Sequence, residues 1–241
     1  MEVISTGVCE SEDMEGLIRW YSDVYKFVKS NKDLNKRLNE LDEKLQKIES
    51  QMERLNRKFE QREERMNGEI VIQRRMDGSE NFYRDWEDYK HGFSNRSGEF
   101  FIGLQRLHKL TNSRPYELLV VMEDFDDDRR YAKYDNFVIA SEKENYKLQS
   151  LGHYNGTAGD SLTIGHLGYG FTTKDRDNDI DTRNCAQSYN AAWWYSNCHF
   201  SNLNGKYLKG TTTDYAKGVV WHAYRGYYYS LKFVEMYIRP K

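Results

Sequence analysis

An apolar stripe with a 3.5-residue period runs through the first third of this chain and leaves few folds open to it. With Leu17, Val24, Asn31, Leu38, Leu45, Met52, Phe59 and Met66 as heptad a positions, the d positions are Trp20, Phe27, Leu34, Leu41, Ile48, Leu55 and Arg62. Only Asn31 and Arg62 break the seam. A period held this long predicts one helix over residues 17–67, a rod of about 75 Å from Leu17 to Met66. Such a helix alone would expose its whole stripe, so partner helices are expected. The g-to-e pairs are Arg37 with Asp42, Lys44 with Glu49, Gln51 with Asn56 and Lys58 with Glu63, all complementary or neutral. Those residues meet in a parallel homomeric coiled coil. Asn31 either sets its register or is a tolerated defect near a fraying end, and Leu at a with Leu or Ile at d leaves two, three and four strands open. Asn67-Gly68 ends the helix, as glycine does at a C-terminal cap.

The rest of the chain has a different character. Most of the 19 Tyr, 11 Phe and 5 Trp lie after residue 80, in short β-branched and aromatic runs such as FFIGL, YELLVVMEDF and NFVIAS, separated by Gly, Asn and Asp turns. Short amphipathic helical stretches such as 81–91 lie between them. This is an α+β pattern with a loop-rich second half. A net charge of −2 argues against a nucleic-acid partner, which needs a concentrated basic face. No apolar run is long enough to insert into a membrane. The opening tail, residues 1–16, lacks the basic and apolar segments of a secretory signal. Of the three cysteines, Cys185 and Cys198 bracket a loop of a size that a disulfide closes well, with about 3 kcal/mol of stabilisation, and Cys9 is left as a free thiol or an interchain partner.

Between Phe171 and Gly205 an acidic run, both of these cysteines, Trp193-Trp194 and a Cys-His dipeptide share one window. Asp175, Asp177, Asp179 and Asp181 alternate as hard oxygen ligands would, yet Ile180 and Ala186 stand where an EF-hand needs Gly and Glu. A solvated acidic turn is the plain alternative. No HExxH, GxSxG or P-loop motif is present, so no enzyme is expected.

The motifs QRRMDGSENFYRDWEDYKHGF (73–93), GEFFIGL (98–104), AKYDNFVIASEKENYKL (132–148), TAGDSL (157–162), the 171–205 window and the ending VVWHAYRGYYYSLKFVEMYIRP resemble the C-terminal fibrinogen-related domain. The likeness is greatest to ficolins and the tachylectin 5 type of invertebrate lectin, and it covers residues 70–241. It implies a twisted, mainly antiparallel sheet with short helices and a loop-rich calcium and ligand subdomain. Family members open this domain with a further small subdomain carrying a cysteine pair. Here the helix runs straight into Glu69-Ile70-Val71-Ile72, so residues 68–241 are read as the domain without that subdomain.

The resemblance also implies a site. Ca²⁺ would be held by the side chains of Asp177 and Asp179 and the carbonyls of Asp181 and Arg183, with the modest affinity of extracellular modules. Cys185 and Cys198 match a family disulfide, and Asn197-Cys198 matches a cis peptide bond. The bend there would turn the N–H groups of Cys198 and His199 toward a small pocket walled by Tyr189 and Tyr215, suited to an N-acetyl group. His199 would bond the ligand or steady the loop. His166 matches a ficolin histidine near the pocket, although a satisfied wall residue is the preferred reading for it. Trp193, Trp194 and Asn204 are read as scaffold. The expected function is a secreted, calcium-dependent homo-oligomeric lectin for acetylated glycans such as N-acetylglucosamine in innate immune recognition. The alternatives are an angiopoietin-like ligand for a cell-surface receptor and a structural oligomer with a vestigial pocket. The sequons Asn95-Arg96-Ser97 and Asn155-Gly156-Thr157 are compatible with secretion.

Overall fold

The computed structural model describes residues 11–241. The tail 1–10 with Cys9 lies outside the described residues, as do the side chains of 11–15, 28, 33, 38 and 52–67, and with them heptad positions Leu38, Met52, Leu55, Phe59, Arg62 and Met66. The chain falls into two units, Met1–Arg62 and Glu63–Lys241.

Helix α1 (Ser11–Asn67) begins six residues before the position at which the heptads start. Its described a and d residues, Leu17, Trp20, Val24, Phe27, Leu34, Leu41, Leu45 and Ile48, are 39–67% exposed in the single chain. Among the described residues, this part of the stripe is thus left exposed. Gly68 follows at φ +63°, the left-handed conformation that closes a helix cheaply only without a Cβ.

In the second unit, strand β1 (Ile70–Arg75), β2 (Phe93–Ser94), β3 (Phe100–Phe101), β4 (Tyr116–Glu123), β5 (Arg129–Tyr134), β8 (Tyr154–Gly156) and β13 (Phe233–Pro240) form one antiparallel sheet in the order β2-β3-β1-β13-β4-β5-β8. Two short strands, β6 (Val138–Ile139) and β7 (Leu148–Ser150), pair separately. Strand β4 shows how the sequence writes such a sheet: Tyr116, Leu118, Val120 and Met122 are buried and their neighbours half-buried, the period of two expected when one face meets the core. The last strand of the chain, β13, lies at the centre, paired with β4 along its full length and with β1 on the other side.

β1 departs from that alternation. Its register against β13 slips between Val71 and Gln73, a bulge that re-aims the side chains after it. Gln73 and Arg75 therefore point into the core, 0% and 2% exposed. The Arg75 guanidinium meets Glu99, 1% exposed, and donates to the carbonyls of Leu203 and Gly205. The Glu99 carboxylate in turn accepts the N–H groups of Met76, Asp77, Gly78 and Glu80. This turn requires Gly78, at φ +78°, because a Cβ there would lie 2.9 Å from the Tyr207 ring.

Helix α2 (Trp86–His91) is shorter than the expected 81–91 stretch, because the Asn81 side chain accepts the Tyr83 N–H and holds the preceding residues in a turn. It is followed by α3 (Leu104–Thr111), the irregular turn α4 (Thr163–His166), α5 (Cys185–Tyr189) and α6 (His222–Arg225). Small ladders, β9 (Ser201–Asn202) with β11 (Val220–Trp221) and β10 (Gly210–Thr211) with β12 (Tyr229–Ser230), bind the loop-rich part together. Trp193, Trp194 and Trp221 are buried beneath these loops, with their indole N–H groups donating to Ser201 Oγ, the Tyr146 carbonyl and the Gly159 carbonyl. Asn204 is fully buried and donates to the Ala192 carbonyl, which makes it scaffold as well.

Candidate functional site

The acidic run folds as a series of turns in which each aspartate accepts from the backbone just ahead of it. Asp177 accepts the Asp179 N–H, Asp179 accepts the Asp181 N–H and Asp181 accepts the Arg183 N–H. Aspartate favours such local bonds, and they explain why this stretch is neither helix nor strand. The other Asp179 oxygen accepts the Cys185 N–H at 3.0 Å, fastening the acidic loop to the start of α5. Asp175 is used differently from its neighbours. It accepts the Trp86 N–H and the Thr173 hydroxyl, anchoring the loop to α2, so the alternating series of four reduces to three.

Asp179 is half-buried beside Asp177, and desolvation followed by repulsion from that neighbour raises its pKa from 3.8 to about 6. A carboxylate pair under this strain fits a divalent cation, which would relieve both causes at once. Asp181 instead pairs with the Arg183 guanidinium at 3.1 Å, which occupies both side chains. The Asp181 carboxylate also lies within 4.8 Å of the sulfurs of Cys185 and Cys198. Those sulfurs are joined to each other in a disulfide, so no thiolate is available and that trio is no metal set.

The disulfide brings the 197–200 turn against α5, and the pocket residues converge there. His199 is 7% exposed, with the Tyr189 ring edge-on at 4.6 Å and the rings of Tyr195 and Tyr227 at 5.7 and 6.0 Å. Neither of its ring nitrogens makes a hydrogen bond of ordinary length and angle, although the Ala216 backbone lies near enough to favour the protonated ring. Buried polar atoms of this kind are uncommon in a folded core and call for an explanation. Burial first and His166 second lower the His199 pKa from 6.5 to about 3 against an opposing contribution from the Ala216 backbone, so the ring is neutral. The backbone N–H groups of Cys198 and His199 donate to no protein group among the described residues.

The expected cis Asn197-Cys198 bond is corrected: the described residues contain no cis peptide bond. A non-proline peptide favours trans by about 3 kcal/mol, and the turn closes in that form through the disulfide and the Ser196 N–H to Cys198 carbonyl bond at 3.0 Å. Tyr215 is 47% exposed at the rim of the site, 5.2 Å from Tyr227. Its position is set by Ala216, whose φ of +60° is costly for a residue with a Cβ and whose N–H donates to the Tyr227 carbonyl.

His166 needs correction as a ligand contact. It is 0% exposed, so it touches no ligand. Its Nε2 accepts the N–H groups of Phe200 and Ser201 at 3.1 and 3.0 Å, which places the proton on Nδ1, donated to the Trp194 carbonyl at 2.7 Å. The neutral imidazole thus holds the backbone that follows His199. Burial lowers its pKa from 6.5 to about 4. An unfolded chain takes up these protons near pH 6.5 and the folded one does not, so stability is full above pH 6.5 and falls as pH drops toward 4. The slope is about 1.4 kcal/mol per pH unit for each histidine. Denaturant midpoints should therefore fall between pH 7 and pH 4.5, and equal midpoints would count against two buried neutral imidazoles.

Tyr195 and Tyr227 complete the wall and were not singled out in the sequence. Each has an anchored hydroxyl: Tyr195 donates to Asn202 Oδ1 at 2.6 Å, and Tyr227 to the His199 carbonyl at 3.0 Å. The local hint is aromatic density, WWY before the turn and YYY running into β12, which does not say which ring faces His199.

Residues 36–241 match the family model described as "Fibrinogen beta and gamma chains, C-terminal globular domain". Fibrinogen C domain-containing protein 1 of Macaca fascicularis is 52% identical over 178 residues, covering 72% of this chain and 41% of its own. Ryncolin-4 of Cerberus rynchops is 48% identical over 174 residues, covering 72% and 50%. The chain therefore spans half or less of the length of these curated relatives. Among solved structures, the fibrinogen-like globe domain of human ANGPTL2 aligns with a TM-score of 0.69 at 50% identity, covering 71% of this chain and 80% of that one. A lamprey fibrin D-dimer complexed with the peptide Gly-His-Arg-Pro-amide aligns with a TM-score of 0.69 at 34% identity, covering 72% and 62%.

Proposed function

Because the chain belongs to the family of fibrinogen C-terminal globular domains, we propose that it is a calcium-dependent lectin for acetylated glycans, carried on a homo-oligomeric coiled coil. The observation that carries this reading is His199: a buried imidazole whose nitrogens make no well-formed hydrogen bond, walled by tyrosines, beside two backbone N–H groups that donate to no protein group among the described residues. An N-acetyl group offers the matching parts, a carbonyl to accept from the amides and a methyl for the aromatic wall. Asp177 and Asp179 would hold Ca²⁺ with the carbonyls of Asp181 and Arg183, and the ion would neutralise the carboxylate pair and stiffen the loop that ends at Cys185. Asp179 and the disulfide transmit that stiffness to the 197–200 turn.

The uncovered stripe of α1 supports association with further copies, and display of several heads would raise avidity by roughly 10² to 10⁴ where single sites are weak. A domain over residues 68–241 without the family's opening subdomain remains part of the reading. The intrachain disulfide favours an extracellular setting, and no helix among the described residues is long and apolar enough to cross a membrane. A peptide or receptor protein is the second reading, favoured by the peptide-bound lamprey relative.

The test is retention of the full chain on immobilised N-acetylglucosamine with calcium and with EDTA, its mass followed by light scattering. Retention by an oligomer that EDTA abolishes is expected. No retention of folded protein with calcium present would sink the lectin reading.

A further inference from the structure

Beside the ring cluster at His199 lies a run of aromatic rings that the acetyl group would not use. From Tyr227 the run continues to His222, whose ring lies 4.3 Å away at 33°, and then to Phe200 at 6.0 Å. His222 is exposed, and Phe200 is 39% exposed although both of its chain neighbours are buried. The two are cross-strand neighbours: the ladder of β9 and β11 extends by one bond, His222 N–H to the Phe200 carbonyl at 2.9 Å. A large apolar ring at such a position is expected either to pack inward or to meet a partner.

Phe200 is also held in place. Its N–H is bonded to His166, and Gly165, at φ +83°, comes so close that a Cβ there would lie 2.7 Å from the ring. One face is thus pressed by backbone while the ring stays open to solvent, so little rotamer freedom remains to be lost on binding. Flat rings of this kind suit the C–H face of a pyranose, and their placement, His222 one ring beyond His199 through Tyr227 and Phe200 next to His222, suits a sugar joined to the one at His199.

We propose that Phe200 and His222, linked to the pocket through Tyr227, form a second subsite that stacks a neutral sugar ring joined to the acetylated residue at His199. The ligand class is then a linear acetylated oligosaccharide of two or more residues. This rests on the pocket reading given above.

Calorimetric titration of the full, calcium-loaded chain with N-acetylglucosamine and with its β1,4-linked dimer and trimer tests it. The dimer is expected to bind roughly three to ten times more tightly than the monomer, beyond the statistical doubling from its two acetyl groups. In Phe200→Ala and His222→Ala that ratio should collapse to the statistical value. Phe200→Leu, which keeps bulk without a flat ring, should lose it too, and in His222→Ala, whose side chain is exposed, unchanged affinity for the monomer shows that the lost ratio is not misfolding of the His199 site. Equal per-site affinity for monomer and dimer in the wild type, or an undiminished ratio in the variants, would overturn the subsite and leave the pocket standing. Binding of neither sugar would overturn both.

Discussion

A Glu99→Ala variant is expected to lose most or all of the stability of the second unit. Glu99 is 1% exposed and faces Arg75, itself 2% exposed, and its two oxygens take up four backbone N–H groups of the 76–80 turn. Removing one partner of a buried ion pair strands the other charge, at a cost of about 3 to 5 kcal/mol. The abandoned N–H groups add about 1 kcal/mol or more for each that water cannot reach. A total of that size rivals the roughly 5 to 15 kcal/mol by which domains are stable. Glu99→Gln keeps one carbonyl acceptor for the turn but not the charge, and should fall between alanine and wild type. Circular dichroism melts and soluble yield check this. An alanine variant melting within a few degrees of wild type would show that the Arg75 charge is reached by water after all.

Replacing both Asp177 and Asp179 by alanine is expected to abolish calcium binding and, with it, retention on acetylated sugar. Loss of an outer-shell partner alone costs about 10- to 100-fold in metal affinity, so loss of both side-chain ligands should exceed about 100-fold. The two single variants separate two effects. Asp179 also caps the Cys185 and Asp181 N–H groups, so Asp179→Ala should loosen the loop even without metal. Asp177 accepts the Asp179 N–H and makes no bond to the α5 end of the loop among the described residues, so Asp177→Ala should act mainly through the ion. Calorimetry with calcium, alongside retention on the sugar matrix, measures both. Full calcium affinity in the double variant would remove these aspartates from the proposal.

How much of this was legible beforehand depended on the range of the interaction. The alternation of β4, the glycine at the end of α1, the acidic turns and the Cys185–Cys198 pairing rest on local pattern or on a motif the chain shares with its family. The bulge in β1 has no such mark. It reverses the side of Gln73 and Arg75, and nothing in IVIQRR shows that an arginine will enter the core to meet a glutamate 24 residues later. His166 is similar, since a histidine 34 residues from Phe200 carries no local sign that it will hold that residue's N–H. Asp175 looked equivalent to the aspartates after it, and only its bond to Trp86, 89 residues away, sets it apart.

What the sequence by itself determined is what periodicity and short motifs can encode: a heptad-bearing helix, an α+β domain of the fibrinogen type and the place of its acidic loop. Tertiary structure decided which polar groups are satisfied and which are left open. His166 and His199 are both buried and both neutral, yet one has both nitrogens in well-formed hydrogen bonds and the other has neither. That difference, which makes one histidine scaffold and the other a candidate site, arises from partners distant in sequence, because burial and hydrogen bonding are settled by all neighbours in space at once.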